Sequence, residues 1–180
     1  MTLRLMYRMG LSAISIAGAI ALLGPPVFAQ ASTIAPKSFC AKISATTVSS
    51  LFGQKVSFLG ATTGGSASND VCEFAKIVGK SVSGVTLNYD YKGTGTPSQE
   101  NAALSKEQGV TGLVIKSYAS IGGGSTYSFT DTFKDATLGT KISESGMDSF
   151  DGSNHYGVIV TDVLPTSKLA SLLKLAVSAA

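Results

Sequence analysis

Cys40 and Cys72 are the only cysteines in a chain of 180 residues, and whether they are joined decides more about the fold than any other feature of the sequence. Both lie beyond an N-terminal segment with the three parts of a secretory signal. An exported chain meets an oxidising environment, where a disulfide is the default state of two lone cysteines. Closing a loop of about 33 residues stabilises a fold by roughly 3–4 kcal/mol in the chain-entropy model, a large share of a domain's margin. A redox-active pair is more often spaced Cys-x-x-Cys, and a metal site wants further Cys or His nearby, which are missing. We therefore expect a structural Cys40–Cys72 bridge.

The signal occupies residues 1–31. Arg4 and Arg8 make a basic start, Leu11 to Leu23 is an apolar run, and Gly24-Pro25-Pro26 ends it. Small residues then mark cleavage after Ala29 or after Ala31. The run is shorter than the ~20 residues that span a bilayer, which favours a removable signal over an N-terminal anchor. Arg4 and Arg8 are not adjacent, so the general secretory route is expected in place of the twin-arginine route. Cys40 follows Lys37-Ser38-Phe39 and not an apolar run, so a lipid anchor is not expected. Residues 32–180 should form one domain in a periplasm or outside the cell, with no stable membrane anchor after signal cleavage.

Composition narrows the partners. The charged fraction is 14% and the hydrophobic fraction 44%, a balance that argues against intrinsic disorder, collagen-like repeats and charged coiled coils. Removing the signal takes away both arginines and leaves 12 Lys against 11 acidic residues. A nearly neutral domain without arginine lacks the side chain that reads phosphates and bases bidentately, so no nucleic-acid partner is expected.

Periodicity predicts a helix over Ser44–Phe52, capped by Ser44 and ended by Gly53. Strands follow at Val56–Leu59, Val71–Val78 and Val85–Tyr91, with Gly60–Asn69 read as a loop and Gly79–Gly84 as a link. Thr96-Pro97-Ser98-Gln99 opens a second helix that runs to about Gln108. Strands are expected at Leu113–Ala119 and Ser125–Phe129 on either side of Gly122-Gly123-Gly124, then near Thr140–Glu144 and Tyr156–Asp162. Asp151-Gly152-Ser153-Asn154 reads as the turn joining Met147–Phe150 to the last strand. Pro165–Ala179 closes the chain as a helix with Leu169, Leu172, Leu173 and Ala176 on one stripe. Segregated runs of strands imply an α+β fold: an antiparallel β-sheet with helices packed on one face and one disulfide.

No catalytic constellation emerges. Gly79-Lys80-Ser81 has the tail of a phosphate-binding loop, but Phe74 stands where the motif needs its first glycine. Gly122-Gly123-Gly124 precedes a strand pattern and not a helix, and reads as a tight turn. His155 is the only histidine, so a two- or three-histidine metal site is impossible and any serine relay has to use His155 as its base. No Gly-x-Ser-x-Gly elbow occurs. His155 reads as a strand-edge residue at the mouth of a hairpin. Glu144, Asp148 and Asp151 form an acidic cluster that matches neither a calcium loop nor a carboxylate pair across a cleft, and reads as turn formation and solubility. Tyr89, Tyr91, Tyr118, Tyr127 and Tyr156 fall in or beside strands, and would make a stacking surface only if several shared an exposed face.

Cys40, a helix ending in Leu51-Phe52-Gly53, and Cys72-Glu73-Phe74 together resemble a group of uncharacterised bacterial exported proteins with a two-cysteine α+β domain. The resemblance continues through Ile121-Gly122-Gly123, Tyr127-Ser128-Phe129 and Tyr156-Gly157-Val158-Ile159-Val160. It implies a disulfide-pinned fold similar to PsbP-like domains. Many members of that group are lipoproteins, whereas this chain lacks the lipidation cysteine. The expected function is a secreted or periplasmic non-enzymatic binding or accessory domain for a protein or small-molecule ligand, without cofactor, metal or catalytic residues. The alternatives are a secreted inhibitor of another protein and a hydrolase that uses His155.

Overall fold

Helix, sheet and disulfide come together in the first 40 residues of the described chain. The computed structural model describes residues 38–64, 69–78, 81–90, 98, 99, 102, 105, 110–134 and 141–180; the expected signal at 1–31 lies outside them. Helix α1 spans Ser38–Ala41 and α2 spans Ala45–Phe52. Ser44 caps α2, its Oγ accepting from Thr47 N–H at 3.1 Å, and Gly53 ends it in the left-handed conformation. The Ser49 hydroxyl then accepts from Val56 N–H at 3.0 Å and so ties α2 to the strand that follows.

Seven strands make one sheet: β1 (Ser57–Gly64), β2 (Asn69–Val78), β3 (Ser81–Asp90), β4 (Val110–Ile121), β5 (Gly124–Lys134), β6 (Lys141–Phe150) and β7 (His155–Val160). Helix α3 (Thr166–Ala179) follows them. The spatial order is β1-β2-β3-β7-β6-β5-β4, and every neighbouring pair is antiparallel. The sheet is therefore two meanders, β1–β3 and β4–β7, joined where the last strand of each lies beside the other. The α+β class is present, and the sheet dominates it.

Local turn preference underestimated the strands. Thr62, Thr63 and Gly64, expected in a loop, pair with Val71, Asp70 and Asn69. Ser81–Gly84, expected as a link, is the start of β3, and Val78 pairs with Ser81. The segment 141–150 is one strand that Gly146 does not interrupt. In each case ladder hydrogen bonds to a partner strand override the composition of the segment. Of the helix expected over Thr96–Gln108, residues Ser98, Gln99, Ala102 and Ser105 are helical and the remainder lies outside the described residues.

The main core joins Phe39, Val48 and Phe52 of the first helices to Phe74, Val85, Leu87, Met147, Val158 and Val160 of the strands and to Leu169, Leu172, Leu173 and Ala176 of α3. The apolar stripe expected on the last helix is thus the one that is buried, each large side chain adding about 1.5–3 kcal/mol. Cys40 and Cys72 are bonded, their Cα atoms 5.6 Å apart, so α1 is pinned to the middle of β2. A second, smaller cluster holds Val71, Tyr127, Phe129, Phe150 and Ile159. These residues alternate along their strands with those of the main core, which places them on the other surface of the sheet.

The turns are set by a few polar contacts. Gly122 and Gly123 both have positive φ, 66° and 81°, and connect β4 to β5. A Cβ on Gly122 would press on Val177 of α3. Ser149 Oγ donates to Ile121 carbonyl at 2.7 Å, anchoring that turn to β6. Ser145 Oγ donates to Asp162 carbonyl at 2.7 Å and accepts from Leu164 N–H at 3.0 Å, which fixes the chain between β7 and α3.

Candidate functional site

The β6–β7 hairpin brings His155 and Asp148 together. Its turn, residues 151–154, is organised by Asp151, whose Oδ1 accepts from the N–H groups of Ser153 at 2.9 Å and Asn154 at 2.7 Å. The turn places Phe150 opposite His155 and Asp148 opposite Gly157. His155 and Asp148 are diagonal neighbours on one surface of the sheet, and His155 Nε2 donates to Asp148 Oδ1 at 3.0 Å. The imidazole also stacks on the Phe150 ring, with centroids 4.2 Å apart and planes within 2°. Phe150 in turn stacks with Tyr127 of β5 at 6.1 Å.

Gly157 makes this arrangement possible. Across β3, β7 and β6 the register row is Asn88, Gly157, Asp148. A Cβ at the central position would overlap both Asn88 Oδ1 and Asp148 Oδ1, so the side chains of the two flanking strands reach over the glycine. His155 is 3% exposed and Asp148 2% exposed.

His155 is the first residue of β7, at the mouth of the hairpin as expected, but β7 is central, flanked by β3 and β6. The expectation for the acidic residues is corrected. Asp148 and Glu144 do not serve turn formation or solubility, because both are buried strand residues, Glu144 opposite Asp131 of β5. Only Asp151 plays the expected turn role. Period-two alternation, applied to the whole of 141–150, carries the signal that was missed.

A histidine oriented by a carboxylate is two-thirds of a relay, and the third part is a nucleophile. The buried serines of β6, Ser145 and Ser149, alternate with Asp148 and lie on the opposite surface of the sheet, where both hydroxyls donate to main-chain carbonyls. The pair therefore joins β6 to β7 as a polar contact inside the sheet.

The tyrosines do not share one exposed surface. Tyr89 and Tyr156 stack at 5.3 Å against the main core, Tyr127 is buried on the other surface, Tyr118 is exposed on β4, and Tyr91 lies outside the described residues. The Tyr156 hydroxyl meets Asp151 Oδ2 at 3.4 Å. Burial, with the Asp151 charge beside it, pushes the Tyr156 phenol up to about 12. The hydrogen bond from the Asn154 side chain holds the Asp151 carboxyl below the usual carboxylate range.

Gly79 and Lys80 lie outside the described residues, but they connect two antiparallel strands and do not lead into a helix. Among the described residues no three His, Cys, Asp or Glu side chains form a group able to hold a metal ion, and no helix is long and apolar enough to cross a membrane.

Sequence reasoning passed over a set of exposed apolar residues. Phe58, Leu59, Ile77 and Val78 are 44%, 39%, 47% and 60% exposed. The signal is present in the sequence: Phe58-Leu59 and Ile77-Val78 are adjacent apolar pairs that break strand alternation, so one member of each faces away from the core.

No protein-family model, curated protein or solved structure matches this chain.

Proposed function

We propose that this chain is an exported, non-enzymatic binding or accessory domain, formed by residues 32–180 after the general secretory route removes a signal at 1–31. The observation that carries the reading is the enclosure of the only imidazole. A hydrolytic relay needs a base that reaches both nucleophile and substrate, whereas His155 is closed into the sheet between Phe150 and Asp148. The Cys40–Cys72 bridge supports a periplasmic or extracellular location, because such bonds persist in oxidising compartments. The same two cysteines support the likeness to PsbP-like exported domains. Helices packed on one face of the sheet belong to this reading, supported by the way α1, α2 and α3 contribute to one core while Val71, Tyr127, Phe129, Phe150 and Ile159 form another.

The test is turnover. The chain and its His155→Ala variant are assayed against ester, peptide and glycoside panels. Absence of turnover in both is the expected result, and hydrolysis that vanishes in the variant overturns the proposal.

A further inference from the structure

The exposed apolar residues gather at one end of the sheet. Ile77 and Val78 close β2 and pair with Val82 and Ser81 of β3. Phe58 pairs with Phe74, three residues or about 10 Å along β2 from Ile77, so Phe58 and Val78 lie on the core surface of the sheet and Ile77 on the other, and the two surfaces meet at this end; the Phe58 ring rests on Phe74 with centroids 5.3 Å apart. Leu59 adjoins it at the bulge of the edge strand β1. Val163, also exposed, lies beyond the C-terminal end of β7 at the same end of the sheet, where Thr161 N–H donates to Gly84 carbonyl of β3 and Leu164 N–H donates to Ser145 Oγ of β6.

Among the described residues, two cations stand beside these side chains. Lys55 and Lys76 are exposed, Lys76 next in the chain to Ile77. Asp162 is an exposed carboxylate nearby, and its Oδ1 accepts from Val163 N–H at 2.7 Å. Phe, Leu, Ile and Val flanked by lysine is the composition of surfaces that enter a bilayer interface, with apolar groups among the acyl chains and ammonium groups at anionic headgroups.

We propose that this end of the sheet, Phe58, Leu59, Ile77, Val78 and Val163 with Lys55 and Lys76, docks reversibly on an anionic lipid surface. The proposal rests on the reading of the chain as an exported binding domain and names the surface it binds. It is a peripheral contact and needs no anchor.

The chain has no tryptophan, so a single introduced indole reports on its own site even when the full chain is used. Val78→Trp is mixed with vesicles of phosphatidylglycerol and phosphatidylcholine, with or without brominated acyl chains, and with vesicles of phosphatidylcholine alone. The expected result is a blue shift and bromine quenching with the anionic vesicles. The apparent affinity should fall at least fivefold on adding Lys55→Glu and Lys76→Glu, and fall again at high salt. Tyr118→Trp, on the opposite edge strand, should show neither effect, and Val163→Trp provides a second reporter at the docking end. The proposal is overturned by an unshifted Val78→Trp spectrum, by equal response to neutral vesicles, or by equal quenching of Tyr118→Trp. A blue shift that grows with protein concentration in the absence of lipid also overturns it and assigns the surface to a second copy of the chain. None of these outcomes alters the hydrolysis panels that test the broader reading.

Discussion

His155 and Asp148 sit diagonally across β6 and β7, with Nε2 and Oδ1 3.0 Å apart in the interior of the sheet. Neither side chain reaches solvent to any useful extent. Removing one partner of such a pair leaves the other buried without it, which costs more than the pair is worth. We expect Asp148→Ala to lower the unfolding free energy by about 3 kcal/mol or more, and the double variant with His155→Ala to cost less than the sum of the single changes. Urea denaturation of the four proteins in a double-mutant cycle checks this. A coupling energy below about 0.5 kcal/mol would show that the two residues act independently.

Cys72 lies at the centre of β2 and Cys40 in α1, so their bond holds the N-terminal helices on the sheet. The variant with both cysteines replaced by serine should lose about 3–4 kcal/mol, the loop-closure value. Unfolding with and without reductant measures the same quantity on the natural chain. The unreduced protein should weigh two hydrogens less than the dithiol, and titration of two reactive thiols would refute the bond.

Gly157 and Gly60 are strand glycines with opposite surroundings. A Cβ at Gly157 runs into Asn88 and Asp148, while one at Gly60 meets nothing within 4 Å. Gly157→Ala is expected to destabilise by more than about 2 kcal/mol through overpacking, and Gly60→Ala to leave the melting temperature within a few degrees. Equal melting temperatures for the two variants would contradict the close approach at Gly157.

Two carboxylates should shift stability with pH in opposite directions. Burial raises the Glu73 carboxyl above its ordinary value; a group raised in the folded state contributes stability at low pH that is lost as pH rises through its folded value. Glu73→Gln should therefore stabilise the protein at neutral pH, with the gain shrinking as the pH falls through the raised folded value and gone below the ordinary glutamate range. Asp151 is lowered by its hydrogen bonds, so its contribution is present above the ordinary aspartate value and is lost as pH falls through its folded value. Asp151→Ala should destabilise at neutral pH and have no effect in strong acid. Melting temperatures of the two variants across the acid range decide both signs.

Features that depend on neighbours in the chain were legible in the sequence. Ser44 caps α2 because an exposed hydroxyl before an apolar period has its N–H partner three residues on, and Asp151 folds its turn by the same local logic. Leu169, Leu172, Leu173 and Ala176 face inward because helical spacing puts them on one side. The antiparallel class followed from the segregated strands, and the disulfide from two cysteines in a chain that reads as exported.

The strand limits at Thr62–Gly64 and Ser81–Gly84 were hidden, since residues of turn-like composition become strand only when a partner strand supplies their hydrogen bonds. The pairing of His155 with Asp148 was hidden for a related reason. Seven residues apart in the chain, they meet only because the turn sets a register in which Asp148 faces Gly157 and sits diagonal to His155. The same sequence slipped by one residue would turn the imidazole to the other surface of the sheet. Composition, caps and periodicity determined which elements this protein has; the register of β6 against β7 decided that its one histidine is enclosed, because side-chain facing in a sheet is a property of the pairing and not of either strand alone.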